Sequence, residues 1–333
     1  PRNELRQVTV SRPFYNLNQS NSWSATVRDA KGRVDDPTND RRLFSSSDQA
    51  QFSYVNRWGS YRNKLFVTTD YTYRHSRSYA TPYLHPQIVS SPAIDTTYHR
   101  LMLYTGFQRI EYVGMKRING FNYTEDVELG LTISLGSGRA FTPDWKSYHF
   151  DQLSFGITSA FRLGNGLVIL GYDRTGWVGR NHPTVQSADM SVRYYETSLT
   201  FATLAVRARY RSDERDSTLY LGGTSGIRGY ERNFQGGNRL LVTNTEVRLF
   251  PGLELLSVRF GGALFIDAGR AFRPSERFSV GHLVTSFGAG LRFSFERTTR
   301  SELARIDFAR TRVIKDGRPQ SVWEVSVGSG QYF

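Results

Sequence analysis

The chain contains no cysteine among its 333 residues. Disulfides, thiolate metal sites and thiol nucleophiles are therefore excluded. It also lacks any apolar run near the roughly 18 residues that a membrane-spanning helix needs, and its mean hydropathy is −0.47. A helical membrane protein is excluded; a membrane β-barrel is not, because its strands spread apolar residues over alternate positions. Proline is scarce, with 11 residues beside 30 Gly, and an aromatic content of 14% is too high for a disordered chain. Lysine-rich runs and DNA- or RNA-binding motifs are missing despite a net charge of +13. The excess is mostly arginine scattered along the whole chain, which argues against nucleic acid and suits the phosphates of anionic lipid or lipopolysaccharide. The six histidines (75, 85, 99, 149, 182 and 282) show no metal-ligand spacing. Neither a G-x-S-x-G elbow nor a G-x-x-x-x-G-K phosphate loop is present. The sequence points to no enzyme, cofactor or metal.

Helical periodicity is nearly absent, whereas period-two alternation recurs from end to end. At 286–296, Phe287, Ala289, Leu291, Phe293 and Phe295 oppose Ser286, Gly288, Gly290, Arg292, Ser294 and Glu296. At 127–136, Val127, Leu129, Leu131, Ile133 and Leu135 oppose Glu128, Gly130, Thr132, Ser134 and Gly136. At 204–211, Leu204, Val206, Ala208 and Tyr210 oppose Ala205, Arg207, Arg209 and Arg211; at 258–267, Val258, Phe260, Leu264 and Ile266 oppose Arg259, Gly261 and Asp267. Each run is about 9–13 residues long, near the length that crosses a bilayer at a tilt. A soluble sandwich would bury the apolar face against a second sheet. A membrane barrel turns it to lipid and puts the charges in a wet lumen. Asp70, Glu128 and Asp173 read as lumenal ion-pair partners.

Connections alternate between short (near Arg12–Gln19, Gly59–Tyr61, Gly164–Gly166, Tyr195–Leu199, Pro251–Gly252 and Arg297–Ser301) and long polar ones. The long ones lie near Ala30–Ser47, His75–Thr97, Ser137–Ser147, Trp177–Ser187, Ser212–Asn238, Arg270–Gly281 and Thr311–Ser321; Tyr112–Asn119 is intermediate. Trp58, Tyr71, Tyr73, Tyr172, Trp323 and Tyr332 near strand ends fit interfacial girdles. The expected fold is all-β, a transmembrane antiparallel barrel of the 16-stranded type. About fifteen strands are countable over 1–333, so one strand and a periplasmic region are expected upstream of Pro1; the rival explanation is a strand missed or merged.

The most specific block runs Gly222-Gly223-Thr-Ser-Gly226-Ile227-Arg228-Gly229-Tyr230, then Gly236-Gly237 and a strand bearing Asn244, Glu246 and Arg248. Phe265-Ile-Asp267-Ala-Gly269 follows, and the chain closes on Gly330-Gln-Tyr-Phe333. In these features the sequence resembles the Omp85 superfamily of outer-membrane assembly and translocation barrels (BamA/TamA type). That family carries a V/I-R-G-F/Y tip on its sixth extracellular loop and an F-x-D-x-G motif two strands later. Arg12-Pro13-Phe14-Tyr15 resembles its early D/R-P-F/Y turn.

The resemblance implies that the loop folds into the lumen and that Arg228 meets Asp267 and Glu246, with Phe265 and Gly269 beside them. It also implies a C-terminal sorting signal and barrel seam, with Trp323, Val325, Val327 and Phe333 in alternation and Gly328 and Gly330 weakening the pairing. The implied location is the bacterial outer membrane. The implied partners are lipid and lipopolysaccharide, unfolded outer-membrane or secreted polypeptide clients, and periplasmic or lipoprotein accessory subunits; nucleic acid is not among them. Three functions stay open: polypeptide insertion or translocation through a labile seam, a passive anion-favouring pore, and the membrane anchor of a fused N-terminal enzyme.

Overall fold

The computed structural model describes residues 4–36, 41–82, 94–121, 123–146, 148–179, 184–214, 218–223, 226–295, 303–315 and 318–333. The alternating segments form strands β1 (Glu4–Arg12), β2 (Asn21–Asp36), β3 (Arg41–Gly59), β4 (Asn63–Pro82), β5 (Ile94–Lys116) and β6 (Thr124–Phe141). They continue as β7 (Tyr148–Leu163), β8 (Gly166–Gly179), β9 (Val185–Glu196), β10 (Ala202–Asp213), β11 (Leu219–Leu221), β12 (Gln235–Gly237) and β13 (Arg239–Leu249). The last are β14 (Glu254–Leu255), β15 (Val258–Phe272), β16 (Val284–Phe295), β17 (Leu303–Lys315) and β18 (Arg318–Ser329). Sixteen of these make one sheet: an antiparallel meander in chain order from β1 to β18, with β14 pairing β15 off the path. The path itself holds fifteen strands, and β11 and β12 form a separate two-stranded ribbon.

Two compact units divide the chain: Pro1–Arg109, Ile133–Phe155 and Thr175–Thr184 in the first; Ile110–Thr132, Gly156–Arg174 and Val185–Phe333 in the second. Both distribute polarity the wrong way round for a protein dissolved in water. In the first, Asp70 and Thr72 are buried, and Arg100 donates to Asp70 (3.4 Å), Thr72 (3.1 Å) and Gln152 (3.1 Å), while Leu65, Leu103, Leu135 and Leu153 are exposed. In the second, Asn244, Glu246, Asp267 and Asp307 have no exposed surface, whereas Leu264 is 55% and Ile266 62% exposed. Scattered exposed leucines are ordinary; a whole sheet face of them, backed by buried charge, is not.

Several expectations are corrected. β2 and β3 stay paired as far as Asp36 and Arg41, and β17 and β18 as far as Lys315 and Arg318, so the long loops read at Ala30–Ser47 and Thr311–Ser321 are largely strand. A ladder needs only backbone pairing, so polar side chains do not end it. The turn read at Arg297–Ser301 lies outside the described residues. At 127–136 the alternation does not hold one side: Val127 and Leu129 pack on a buried cluster of Met115, Ile118, Leu167, Tyr195 and Ala205, yet Leu135 is 57% exposed. Gly130, at φ 131°, sits between them, and an irregular residue there shifts the phase of a strand. Glu128 is consequently exposed and accepts a hydrogen bond from Tyr112 (3.2 Å), with no ion pair among the described residues. Asp173 has no ion pair among the described residues, and the charge beside it is Asp189.

Arg57 pins the early turn, donating to the carbonyls of Gln19 (2.8 Å) and Asn16 (2.6 Å) and stacking 3.6 Å from the Phe14 ring.

Close approach of neighbouring backbones sets some positions. A Cβ on Gly288 would stand 1.9 Å from the Phe308 carbonyl oxygen and 2.7 Å from the Phe265 ring. Gly288→Val is expected to destabilise the folded chain by about 1–3 kcal/mol, the usual cost of overpacking, read as a lowered urea midpoint in detergent; an unchanged midpoint would contradict this packing.

Candidate functional site

The site is built on the buried face of β13 to β17 by the segment between β10 and β13. The ribbon of β11 and β12 brings the chain out and back, and Gly223 N–H donates to the Tyr230 carbonyl (2.7 Å) to close the tip. Ile227 is fully buried with Leu219, Leu221, Tyr230, Leu240, Val242 and Ala271. Gly229, at φ 80°, lies flat on β17: a Cβ there would come within 2.7 Å of Ala309 and Thr311, so only glycine fits both the turn and the wall. Tyr230 donates its hydroxyl to the carbonyls of Thr285 (2.9 Å) and Arg312 (3.3 Å).

This tip delivers Arg228, 2% exposed, to the wall. Its Nε and Nη2 form a fork on Asp267 (2.8 and 2.9 Å), its Nη1 donates to Glu246 (2.8 Å), and its backbone N–H also reaches Asp267 (3.1 Å). The guanidinium is sandwiched between the rings of Phe265 (3.5 Å) and Tyr332 (4.2 Å). Asn244 ties the arrangement together, donating to Asp267 (2.8 Å) and to the Gly226 carbonyl (2.7 Å). Each fixed position of F-x-D-x-G has a distinct contact: Phe265 stacks on Arg228, Asp267 pairs with it, and Gly269 leaves space for Ile227, whose Cδ1 would be 2.9 Å from a Cβ there.

The wall carries further charges that the sequence reading did not single out as site residues. Arg292 bridges Asp307 (2.7 Å) and Glu246 (3.2 Å), Arg305 also pairs with Asp307, and Arg248 lies 3.4 Å from Glu246. Alternation alone places Arg292 opposite the phenylalanines of β16, but the cross-strand neighbour that meets it is visible only once Gly290 is set against Asp307. Burial alone would lower the Arg228 pKa; the Asp267, Glu246 and Asp307 carboxylates outweigh it and hold the pKa above its ordinary value. Burial raises the Tyr332 phenol and Asp267 adds to this, against the neighbouring arginines.

The end of the chain departs from the sequence reading. Trp323, Val325 and Val327 are exposed in alternation, but the strand stops at Ser329. Gly330 turns at φ 71° while its N–H still bonds the Leu303 carbonyl (2.6 Å). Tyr332 and Phe333 therefore leave the girdle and the outward row and lie on the charged side: Tyr332 on Arg228 and Arg305 (4.8 Å), Phe333 against the Met115–Tyr195 cluster, with its ring 5.4 Å from both Arg207 and Arg248. Arginine faces there offer the rings partners that an outward position lacks. Gly328 leaves room for the Arg305 guanidinium, which a Cβ would meet at 2.8 Å.

No protein-family model matches the chain, and no curated protein matches it. Solved structures align with it: CdiB from Acinetobacter baumannii at 13% identity and TM-score 0.43, covering 98% of this chain and 59% of that one. CdiB from Escherichia coli gives 13% identity and TM-score 0.45 over 98% and 62% of the two chains. BamA from Haemophilus ducreyi lacking POTRA domains 1–3 gives 9% and 0.48 over 98% and 70%. The chain thus spans about 60% of the length of the two CdiB structures.

Removing one member of a buried ion pair costs about 3–5 kcal/mol because the partner stays buried and unpaired. Arg228→Ala is therefore expected to release the 219–237 segment to limited proteolysis, and Asp267→Asn to do so to a smaller degree, since the amide still accepts one bond. Protease resistance of both variants equal to that of the parent would refute the pairing as the anchor.

Proposed function

We propose that this chain is the β-barrel of an Omp85-type protein of the bacterial outer membrane, which inserts or translocates polypeptide by strand pairing at a labile edge. The observation that carries the reading is the anchoring of an I-R-G-Y tip on the wall carboxylate of an F-x-D-x-G strand. It is supported by the exposed apolar face, which hydrocarbon solvates without cost, and by strands of up to 23 residues in β5. β18 ends the meander path, and its exposed Val325 and Val327 precede Gly328 and Gly330. An edge strand weakened by glycine is a template to which an extended segment can add through backbone hydrogen bonds. The work is done by binding and exchange of strands, with lipid and lipopolysaccharide as surroundings, unfolded outer-membrane or secreted chains as clients, and accessory periplasmic or lipoprotein subunits as aids.

A passive anion-favouring pore is the competing reading, and Arg207, Arg209 and Arg211 on β10 are what favour it. Arg209 and Arg211 share Asp189, however, so part of that charge is already neutralised. Planar-bilayer recording separates the two. The proposal predicts small, fluctuating currents that grow when Ser212–Asn238 is deleted; a large, steady current from the intact chain would overturn it.

A further inference from the structure

The strongest unassigned feature is Arg248, 1% exposed on β13, because it ties two segments far away in sequence to a carboxylate of its own strand. Its Nη1 donates to the Ile118 carbonyl, its Nη2 donates to the Phe333 carbonyl (2.8 Å), and its Nε lies 3.4 Å from Glu246, the carboxylate that also holds Arg228. The Ile118 segment is a built structure. Glu125 accepts the backbone N–H groups of Ile118 (3.2 Å), Asn119 (3.0 Å) and Gly120 (3.0 Å), while Phe121 packs edge-on against Phe250 (5.5 Å). Thr203 adds a bond to the Arg117 carbonyl (3.0 Å). The turn between β5 and β6 is thus folded onto the buried side of the second unit, not left in solvent.

The segment it meets is less well satisfied. The Tyr332 hydroxyl and the Gln331 side-chain nitrogen are buried without a hydrogen-bond partner among the described residues. Polar groups buried in that state press toward water. The rings nonetheless stay, held by Arg228, Arg305, Arg207 and Arg248 on one side and by the apolar cluster on the other.

We propose that Gln331–Phe333 is a latch, closed by Arg248 as a positioning residue. It fixes the last paired residues of β18 and couples them to both the 117–121 segment and the Arg228 tip. A segment held by several arginines yet retaining unsatisfied polar atoms is suited to reversible release, and Gly330 is its hinge. On the function proposed above, from which this inference takes its purpose, β18 accepts an incoming strand only after the latch opens.

Hydrogen exchange on the full chain in lipid nanodiscs tests it. Phe333→Ala, at the tip of the segment, is expected to speed exchange of the Gly328–Gly330 amides and, at a distance, of the Ile118–Gly120 amides, each by roughly tenfold. Arg248→Lys, which keeps the charge but loses the two-armed bridge, is expected to loosen the same two segments together. Faster exchange confined to 331–333, or none, would overturn the latch. Scoring Phe333→Ala for insertion of an unfolded outer-membrane barrel into vesicles separates this from the parent reading. Faster insertion supports the latch as a restraint on strand entry, and slower insertion overturns it. Raised exchange with no insertion above background by either parent or variant leaves the latch standing and removes the strand-insertion reading, whereas raised exchange with equal insertion by both overturns the latch as a restraint.

Discussion

A guanidinium and three carboxylates buried together dictate most of what surrounds them. A charge moved out of water is tolerable only with an opposite charge and with its hydrogen-bonding capacity filled. Glu246, Asp267 and Asp307 are fully buried on β13, β15 and β17, and Arg248, Arg292 and Arg305 share the same wall. Among the described residues the ion pair of Asp267 is with Arg228, which arrives from a segment between strands. The geometry of that segment follows from the delivery. Gly229 lets the backbone lie against Ala309, Gly269 lets Ile227 seat, and Phe265 and Tyr332 cover both faces of the cation.

That network also explains why the sheet can afford its exposed side. With ionic groups satisfying one another on one face, the other face is left with Leu264, Ile266, Phe287, Leu291 and Phe308 turned outward. In water this arrangement would expose far more contiguous apolar surface than a soluble protein tolerates. In hydrocarbon it is the favourable arrangement, and the ladders that pair β13, β15, β16 and β17 leave few of their backbone groups in need of water. The same logic accounts for the extra strand length of β2 and β3, whose polar upper halves keep pairing.

Much of this was legible in the residues. Along β10, β15 and β16 the alternation assigns each side chain to a face because nothing interrupts the pleat. The tip and wall motifs could be brought together only because both resemble, in order, those of a family in which such a tip folds onto such a wall. Three features were not legible. The phase change near Gly130 depends on one backbone angle that glycine permits but does not require. Strand pairing in polar segments such as Asp36 and Arg41 depends on the partner strand rather than on local pattern. The inward turn after Ser329 depends on Arg207, Arg248 and Arg305 from three other strands and on Arg228 from the tip, so an isolated reading of Trp323 to Phe333 sees only a continuing outward row.

The claim at the centre of this account is that Arg228 and Asp267 stabilise the fold through each other. A double-mutant cycle on Arg228→Ala and Asp267→Ala, read as unfolding free energy of the full chain in detergent, measures this directly. The account predicts a coupling at the upper end of the range for contacting residues, about 2–3 kcal/mol, with the double variant less damaged than the sum of the single ones. Losses that simply add would contradict it.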